Sequence, residues 1–276
     1  MLTAVLLTAV ICIAGTYAVA AGGSHQDEST TLNVGGSTTI QPMMVSFQET
    51  FEGYAKVSMN VTSGGSSVGA NSTINGTLDV GMCSRDLKSS ELEQGLVAHI
   101  IAKDGVSVII NSSVTGVSSL TLEQIAAIYS GEITNWKDVG GNDKEIAVIA
   151  REDGSGTREC FDTVMSSTVS GWKMKSVVSQ FASTGAVTNA VTSTPGAIGY
   201  VSLGAAEKIT SGAYTVAVDG VMPSVETVND GTYEIQRNLV LATKGPAQGM
   251  AALLIAWILS DEGQKIVEES GFIPLS

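Results

Sequence analysis

The chain contains 276 residues, of which 43% are hydrophobic and 15% are charged, and its formal net charge is −13 at pH 7. At roughly 150 residues per domain, this length predicts about two domains. The acidic balance disfavours nucleic acid and acidic membranes as partners. An anionic ligand would therefore have to be held by local donors, because the overall field repels it.

The N-terminus is apolar. Residues 2–22 carry no charge, and the segment ends in Ala-Val-Ala-Ala-Gly-Gly, which resembles a small-residue cleavage site. It is long enough for a signal peptide or a membrane anchor, although no Lys or Arg precedes Lys56. We therefore expect residues 1–23 to be a signal peptide or anchor and residues 24–30 a linker. The protein should be exported, either to the periplasm or to the outer cell surface.

Three segments share the order of an apolar strand, a turn rich in Gly, Ser and Thr, and a helix; they span residues 32–51, 57–74 and 146–165. Such a junction brings unpaired backbone N–H groups, hydroxyl groups and the positive end of a helix dipole to one point. That point suits an oxyanion. One such turn is most often only a capped strand–helix loop, but three in one chain favour anion binding.

The rest of the chain continues the alternation of strands and helices, which predicts an α/β fold with parallel sheets and ligands beyond the carboxyl ends of the strands. Strands are predicted at residues 77–82, 99–101, 106–110, 197–201 and 236–241. Helices are predicted after a capping box at Thr121, at 186–191, from Pro246, and before Gly271. Residues 135–141 and 210–231 are predicted to be loops or connections.

The arginines are concentrated near the turns. Arg85, Arg151 and Arg158 lie in the turn segments or within one residue of them, whereas the ten lysines supply most of the remaining positive charge. Arginine is favoured where a planar fork must face an oxyanion. The alternative is a structural pair of Arg151 with Asp153 that only shapes its loop. Both interpretations are compatible, because Asp153 could aim Arg151 at a ligand.

Catalytic motifs are not apparent. Gly154-Ser155-Gly156 differs from the G-x-S-x-G elbow, and a nucleophilic Ser155 would depend on His99 as its base. Residues 36–39 resemble a phosphate loop but lack its Gly-Lys-Ser/Thr ending. Metal-ligand clusters are also not apparent. We therefore expect no enzymatic activity, no cofactor and no metal.

Two cysteines follow the N-terminal segment, Cys83 and Cys160, so the mature chain can form at most one disulfide. Their spacing does not match a metal site. We expect both to be free buried thiols.

Six segments together resemble the phosphate-binding subunit of bacterial and archaeal ABC importers, the PstS type, over nearly all of residues 31–276. They are residues 36–39, 65–66, 79–85, 133–136, 151–158 and 260–265. The resemblance implies a two-lobed periplasmic-binding-protein type II fold, in which each lobe is a mainly parallel sheet flanked by helices. It further implies a monomer that closes on one phosphate and delivers it to membrane permease and ATPase subunits.

The resemblance also implies the binding residues. Phosphate would be bound by Thr38, Thr39, Ser66, Arg85, Arg151, Ser155, Gly156 and Thr157, supported by Ser37, Ser84, Asp86 and Asp153. Arg85 stands where some relatives place an acidic residue that accepts the proton of hydrogen phosphate. Asp86 and Asp153 are the candidates for that acceptor here. Such a carboxylate would reject sulfate, which carries no proton at neutral pH.

The lobes are expected to interleave in sequence. Lobe I would take residues 31–104 and 231–276, lobe II would take 105–230, and hinge strands would lie near 105–110 and 236–241. Three alternatives remain open at this point. The same fold could bind sulfate, molybdate or tungstate; the protein could be a surface phosphate sensor; or a Ser155–His99 pair could catalyse acyl or phosphoryl transfer.

Overall fold

The computed structural model describes residues 31–175 and 178–275. The expected leader (1–23) and linker (24–30) therefore lie outside the described residues. Within the described ranges, no helix combines the length and the apolar character needed to cross a bilayer.

The structure contains eleven strands and ten α-helices in its described part. The strands are β1 (Thr31–Gly36), β2 (Ser58–Ser63), β3 (Val80–Cys83), β4 (Leu96–Asn111), β5 (Ser119–Leu120), β6 (Ala147–Arg151), β7 (Ser179–Phe181), β8 (Ala197–Ser202), β9 (Ala213–Thr215), β10 (Ala217–Val218) and β11 (Gln236–Lys244). The helices are α1 (Gln41–Ala55), α2 (Ser66–Ile74), α3 (Ser89–Glu93), α4 (Leu122–Ser130), α5 (Gly156–Thr168), α6 (Thr184–Ser193), α7 (Leu203–Ala206), α8 (Val225–Asn229), α9 (Gly249–Ile258) and α10 (Asp261–Glu269).

One path of paired strands runs through both lobes in the order β2-β1-β3-β11-β4-β8-β6-β7, and β9 also pairs with β4. In lobe I, β1 is parallel to β2 and β3, and in lobe II, β6 is parallel to β7 and β8. Strand β4 joins the two lobes. Its residues 96–105 pair with β11 and its residues 106–110 pair with β8.

Each lobe has its own hydrophobic core. In the first, Phe47 and Phe51 of α1 pack on Trp257 of α9, with ring centroids 5.8 and 5.6 Å apart. In the second, Phe161 of α5 stacks on Tyr200 of β8 at 4.2 Å. Tyr233 and Ile235, just before β11, belong to this second core, and the amide of Val106 donates to the carbonyl of Ile235. The two-lobed α/β fold is confirmed.

Most predicted elements are confirmed, including the capping box of α4, where Thr121 and Gln124 bond each other's amides. Several predictions were wrong in detail. Residues 99–101 and 106–110 belong to one continuous strand, and the predicted loop at 135–141 contains a 3₁₀ helix, Trp136–Val139. The predicted connection at 210–231 contains β9, β10 and α8. The helix expected from Pro246 begins at Gly249.

The two cysteines are free and buried, as predicted. Burial raises the pKa of Cys83 to about 12 and that of Cys160 to about 11. Both groups therefore remain neutral thiols at physiological pH and act as small apolar residues.

Candidate functional site

Four helices begin at the carboxyl ends of parallel strands and point their N-termini into the region between the lobes. They are α1 after β1, α2 after β2, α5 after β6 and α6 after β7. The first-turn amides of a helix have no intrahelical acceptor and carry the positive end of its dipole. Helices α2, α5 and α6 can therefore contribute backbone donors to one region, while α1 offers fewer, because the Gln41 amide donates to the Ser37 carbonyl and Pro42 has no N–H.

Threonine hydroxyls of both lobes meet there. Oγ1 of Thr39 in lobe I lies 3.2 Å from Oγ1 of Thr157 and 3.3 Å from Oγ1 of Thr184, both in lobe II. Thr38 Oγ1 lies 3.5 Å from Thr184 Oγ1 and accepts from the Thr184 amide at 3.4 Å. Thr39, Thr157 and Thr184 are all buried. This threonine cluster can present several O–H groups to one small anion.

Two serines continue the cluster on its other side. Ser66 Oγ accepts from the amide of Ser84 at 3.0 Å and lies 3.3 Å from Ser84 Oγ. A Cβ added to Gly156 would lie 2.7 Å from Ser84 Oγ and still closer to Ser66 Oγ. The amide of Ser67 donates across the lobes to the carbonyl of Gly154 at 3.1 Å. These contacts describe closed lobes.

The two remaining hydroxyls of the predicted set accept hydrogen bonds from backbone amides near the starts of helices. Ser37 Oγ accepts from the amides of Thr39 and Ile40 at 3.1 and 3.2 Å. Ser155 Oγ accepts from the amide of Arg158 at 3.3 Å, as the N-cap of α5. Capping by Ser155 fixes where α5 begins, with Thr157 in its first turn, whereas Ser37 orders the turn that leads into α1.

Arg151 is the buried cation of the cluster. Its Nη1 donates to Thr184 Oγ1 at 3.2 Å, while Nε and Nη2 each donate to a carboxylate oxygen of Glu152 at 2.9 Å. The prediction that Asp153 orients Arg151 was wrong. The side chain of Asp153 is 93% exposed and lies 3.5 Å from Arg158. Glu152 performs the orienting role.

The predicted roles of Arg85 and Asp86 in the phosphate site also require correction. Arg85 donates to both oxygens of Glu91 at 2.8 and 2.7 Å, and its Nε lies 3.0 Å from Glu159 Oε2 in lobe II. Burial would raise the pKa of Glu91, but the hydrogen bonds from Arg85 and from the Lys88 amide, together with the charges of Arg85 and Lys88, lower it on balance. Arg85 therefore links carboxylates instead of joining the threonine cluster. Asp86 is exposed and accepts from the Asn238 amide group at 2.9 Å, away from the cluster.

Besides Glu152, three residues at the site were not predicted: Thr184, Arg237 and Asp104. The signal for Thr184 was Ser183-Thr184-Gly185, a fourth Gly/Ser/Thr turn before a helix. Arg237 donates to Asp104 Oδ2 through Nε and Nη2 at 3.0 and 2.7 Å, and Nη2 lies 3.4 Å from Thr39 Oγ1. Burial raises the pKa of Asp104, while Arg237 and the Leu203 amide oppose that shift.

The enzymatic alternative finds no support in the contacts of its proposed base. His99 Nε2 lies 2.8 Å from Thr243 Oγ1, in lobe I, whereas Ser155 caps a helix of lobe II. Across residues 31–175 and 178–275, no group of three His, Cys, Asp or Glu side chains is arranged to hold a metal ion.

Comparisons with known proteins place this arrangement in a family. The model of the PBP superfamily domain matches residues 21–262. Over 261 residues the chain is 33% identical to the phosphate-binding protein PstS of Borreliella burgdorferi, covering 90% of this chain and 91% of that protein. The chain belongs to the PstS family. It is also 30% identical to PstS of Bacillus subtilis, over 91% of this chain and 83% of the relative.

Solved structures of proteins described as phosphate transport components show the same fold. A Clostridium perfringens substrate-binding protein of the phosphate ABC transporter type, solved with bound phosphate, is 34% identical with a TM-score of 0.83. The match covers 90% of this chain and all of that one. A phosphate transport receptor of Vibrio cholerae is 28% identical with a TM-score of 0.72, covering 88% of this chain and 99% of the receptor.

Proposed function

We propose that this protein binds inorganic phosphate outside the cytoplasm and delivers it to an ABC importer. The observation that carries the proposal is the convergence of Thr39 from lobe I with Thr157 and Thr184 from lobe II, hydroxyl to hydroxyl, beside the buried Arg151. Its PstS relatives are named for the same ligand. The chain acts as a binding subunit without catalysis.

Binding depends on neutral donors supplemented by one cationic fork. Phosphate enters between open lobes and loses its hydration shell as they close. The lost water contacts are replaced by backbone amides at the starts of α2, α5 and α6 and by the hydroxyls of Thr38, Thr39, Ser66 and Thr157. Arg151 adds a charge-assisted hydrogen bond from a position fixed by Glu152. Local donors thereby overcome the net charge of −13.

The threonine and serine hydroxyls of the site must discriminate between phosphate and sulfate. Glu152 and Asp104 are bonded to the two arginines that reach the threonine cluster, so both carboxylates already accept hydrogen bonds. Asp86 and Asp153 are exposed and lie elsewhere. A hydroxyl oxygen can accept the phosphate proton while its own hydrogen turns to another acceptor. This arrangement favours phosphate less strongly than a facing carboxylate would, so sulfate, molybdate or tungstate binding is the second candidate.

Equilibrium dialysis with radiolabelled phosphate tests the proposal. Unlabelled sulfate, molybdate and tungstate are added separately as competitors, and unlabelled phosphate serves as the positive control. We expect saturable binding of one phosphate per chain that excess sulfate displaces poorly. If sulfate displaced phosphate as well as unlabelled phosphate does, the protein would be a general binder of tetrahedral oxyanions. If the protein retained no phosphate, the proposal would be refuted.

The partners follow from this role. A permease and an ATPase would receive the phosphate from the closed monomer, and export would bring the protein to the outer face of the membrane. Expression of the chain with and without its own leader, followed by cell fractionation, checks the location.

A further inference from the structure

Arg237 and Asp104 form a buried ion pair between the two strands at the hinge. Asp104 lies in β4 and Arg237 in β11, and the two are direct cross-strand neighbours. Their side chains are 0% and 3% exposed. Asp104 also accepts from the amide of Leu203 in lobe II at 3.1 Å. The pair therefore touches both lobes where the chain passes between them.

The N–H groups of the Arg237 guanidinium point in two directions, toward Asp104 and toward Thr39. Its Nε and one hydrogen of Nη2 are directed at Asp104 Oδ2, at 3.0 and 2.7 Å. The second Nη2 hydrogen serves Thr39 Oγ1 at 3.4 Å. Because the group is planar, an Nη1 hydrogen runs parallel to that second Nη2 hydrogen and points toward the same side. Nη1 is buried and has no hydrogen-bond partner among the described residues.

These contacts constrain the hydroxyl of Thr39. Arginine can only donate, so Thr39 Oγ1 accepts from Arg237, and its own single hydrogen must point elsewhere. Thr184 is under the same constraint, because its Oγ1 accepts from Arg151 Nη1 at 3.2 Å. Two arginines thus reach the threonine cluster from different directions. Each arginine thereby leaves the hydroxyl hydrogen of its threonine available for an acceptor at the centre of the threonine cluster.

We propose that Arg237, held by Asp104, is a second cationic positioning residue of the phosphate site, acting through the Thr39 hydroxyl. This inference rests on the proposed function. Arg237 donates to Thr39 Oγ1, which turns the Thr39 hydrogen toward phosphate and polarises it. The unpaired Nη1 adds positive potential from the same side. Since the Asp104–Arg237 pair joins the hinge strands, we infer that closure of the lobes also fixes the direction in which the Thr39 hydroxyl donates.

The test is a double-mutant cycle on phosphate affinity, measured by calorimetry on the full chain. Arg237→Lys keeps a cation for Asp104 but loses the planar fork. We expect it to weaken phosphate binding about tenfold or more while Thr39 is present, as for a lost hydrogen bond to a charged group. In a Thr39→Val background the same change should cost less than about threefold, because its target is gone.

Two further variants separate positioning from folding. The combined Arg237→Gln, Asp104→Asn change removes the pair as a unit, so neither partner is left as an unpaired buried charge. It should reproduce the loss of affinity and the dependence on Thr39, while thermal unfolding without phosphate reports on the fold. Lys103→Gln, next to Asp104 on β4, removes an equal charge and should leave phosphate affinity unchanged within about twofold.

The outcomes are distinct. An equal loss of affinity with and without Thr39, or no loss in either background, would overturn the role of Arg237 while the wild-type protein still bound phosphate. A wild-type protein that bound no phosphate would refute the proposed function itself, and this inference with it.

Discussion

Glu152 accepts hydrogen bonds from Arg151 with both of its carboxylate oxygens, each at 2.9 Å. The two residues are adjacent in sequence, at the end of β6, and the pair is completed by the Phe181 carbonyl, which accepts from Nε at 3.3 Å. The remaining terminal nitrogen, Nη1, is thereby aimed at Thr184 in the threonine cluster. Glu152 thus fixes the direction of the cationic fork.

Glu152→Ala should weaken phosphate binding about tenfold or more, because it removes hydrogen bonds to a charged group. Loss of its negative charge acts in the opposite direction, but the side chain is 26% exposed and solvent screens this effect. Asp153→Ala is the matched control and should leave the affinity unchanged. Calorimetry that gave equal losses for both variants would contradict the assignment.

Gly156→Ala should hinder closure of the lobes. A methyl group there would clash with Ser66 and Ser84 of lobe I, and forced overpacking costs about 1–3 kcal/mol, or about 5- to 150-fold in phosphate affinity. Gly185→Ala is the control, because it also lies in the first turn of a helix yet its added Cβ meets nothing within 4 Å. A Gly156→Ala protein with wild-type affinity would show that the lobes do not close at this contact.

Glu159 should act as a latch between the closed lobes. It lies on α5 of lobe II and its Oε2 is 3.0 Å from Arg85 Nε and 3.1 Å from Lys88 Nζ, both in lobe I. Glu159→Gln should accelerate phosphate release a few-fold, as expected for partly exposed ion pairs worth about 0.2–1 kcal/mol. High salt should reduce the difference.

Stopped-flow measurement of the release rate checks this prediction, with Glu123→Gln, on the exposed face of α4, as the control. Release rates that were the same for the wild type and Glu159→Gln at low salt would contradict the latch.

His99 should make the fold less stable in mild acid. Burial lowers its pKa in the folded state, so between that pKa and about 6.5 the unfolded chain binds the proton more readily. The free energy of unfolding should therefore fall as the pH drops below about 6.5. Urea unfolding at pH 7.5 and pH 5.0 should show a smaller drop for His99→Gln than for the wild type. An identical drop in both proteins would exclude His99 as a cause.

The local sequence pattern was sufficient to predict the helices and turns that position the site. Apolar spacing located α1, and the turns rich in Gly, Ser and Thr located Thr39, Ser66 and Thr157. Their convergence was predictable because the carboxyl ends of parallel strands share one edge of a sheet. Strand β7 has only three residues, and this is too short a pattern to reveal that Thr184 begins another such helix.

The choice between neighbouring charges was not predictable from pattern. Glu152 and Asp153 are adjacent acidic residues, and only the folded backbone shows that Glu152 bonds Arg151 while the Asp153 side chain is exposed. The partner of Arg237 is Asp104, 133 residues away, so no local spacing indicates the pair. Arg85 lies in a turn of the kind that suggested phosphate binding, but it bonds Glu91 because α3 places that carboxylate beside it.

The central claim is that helix N-termini and hydroxyls from both lobes surround one phosphate. The most direct measurement is a crystal structure of the protein grown with phosphate. The account predicts a single phosphate between the lobes, within hydrogen-bonding distance of Thr39, Ser66, Arg151 and Thr157. A phosphate bound elsewhere, or held by residues of one lobe alone, would contradict it.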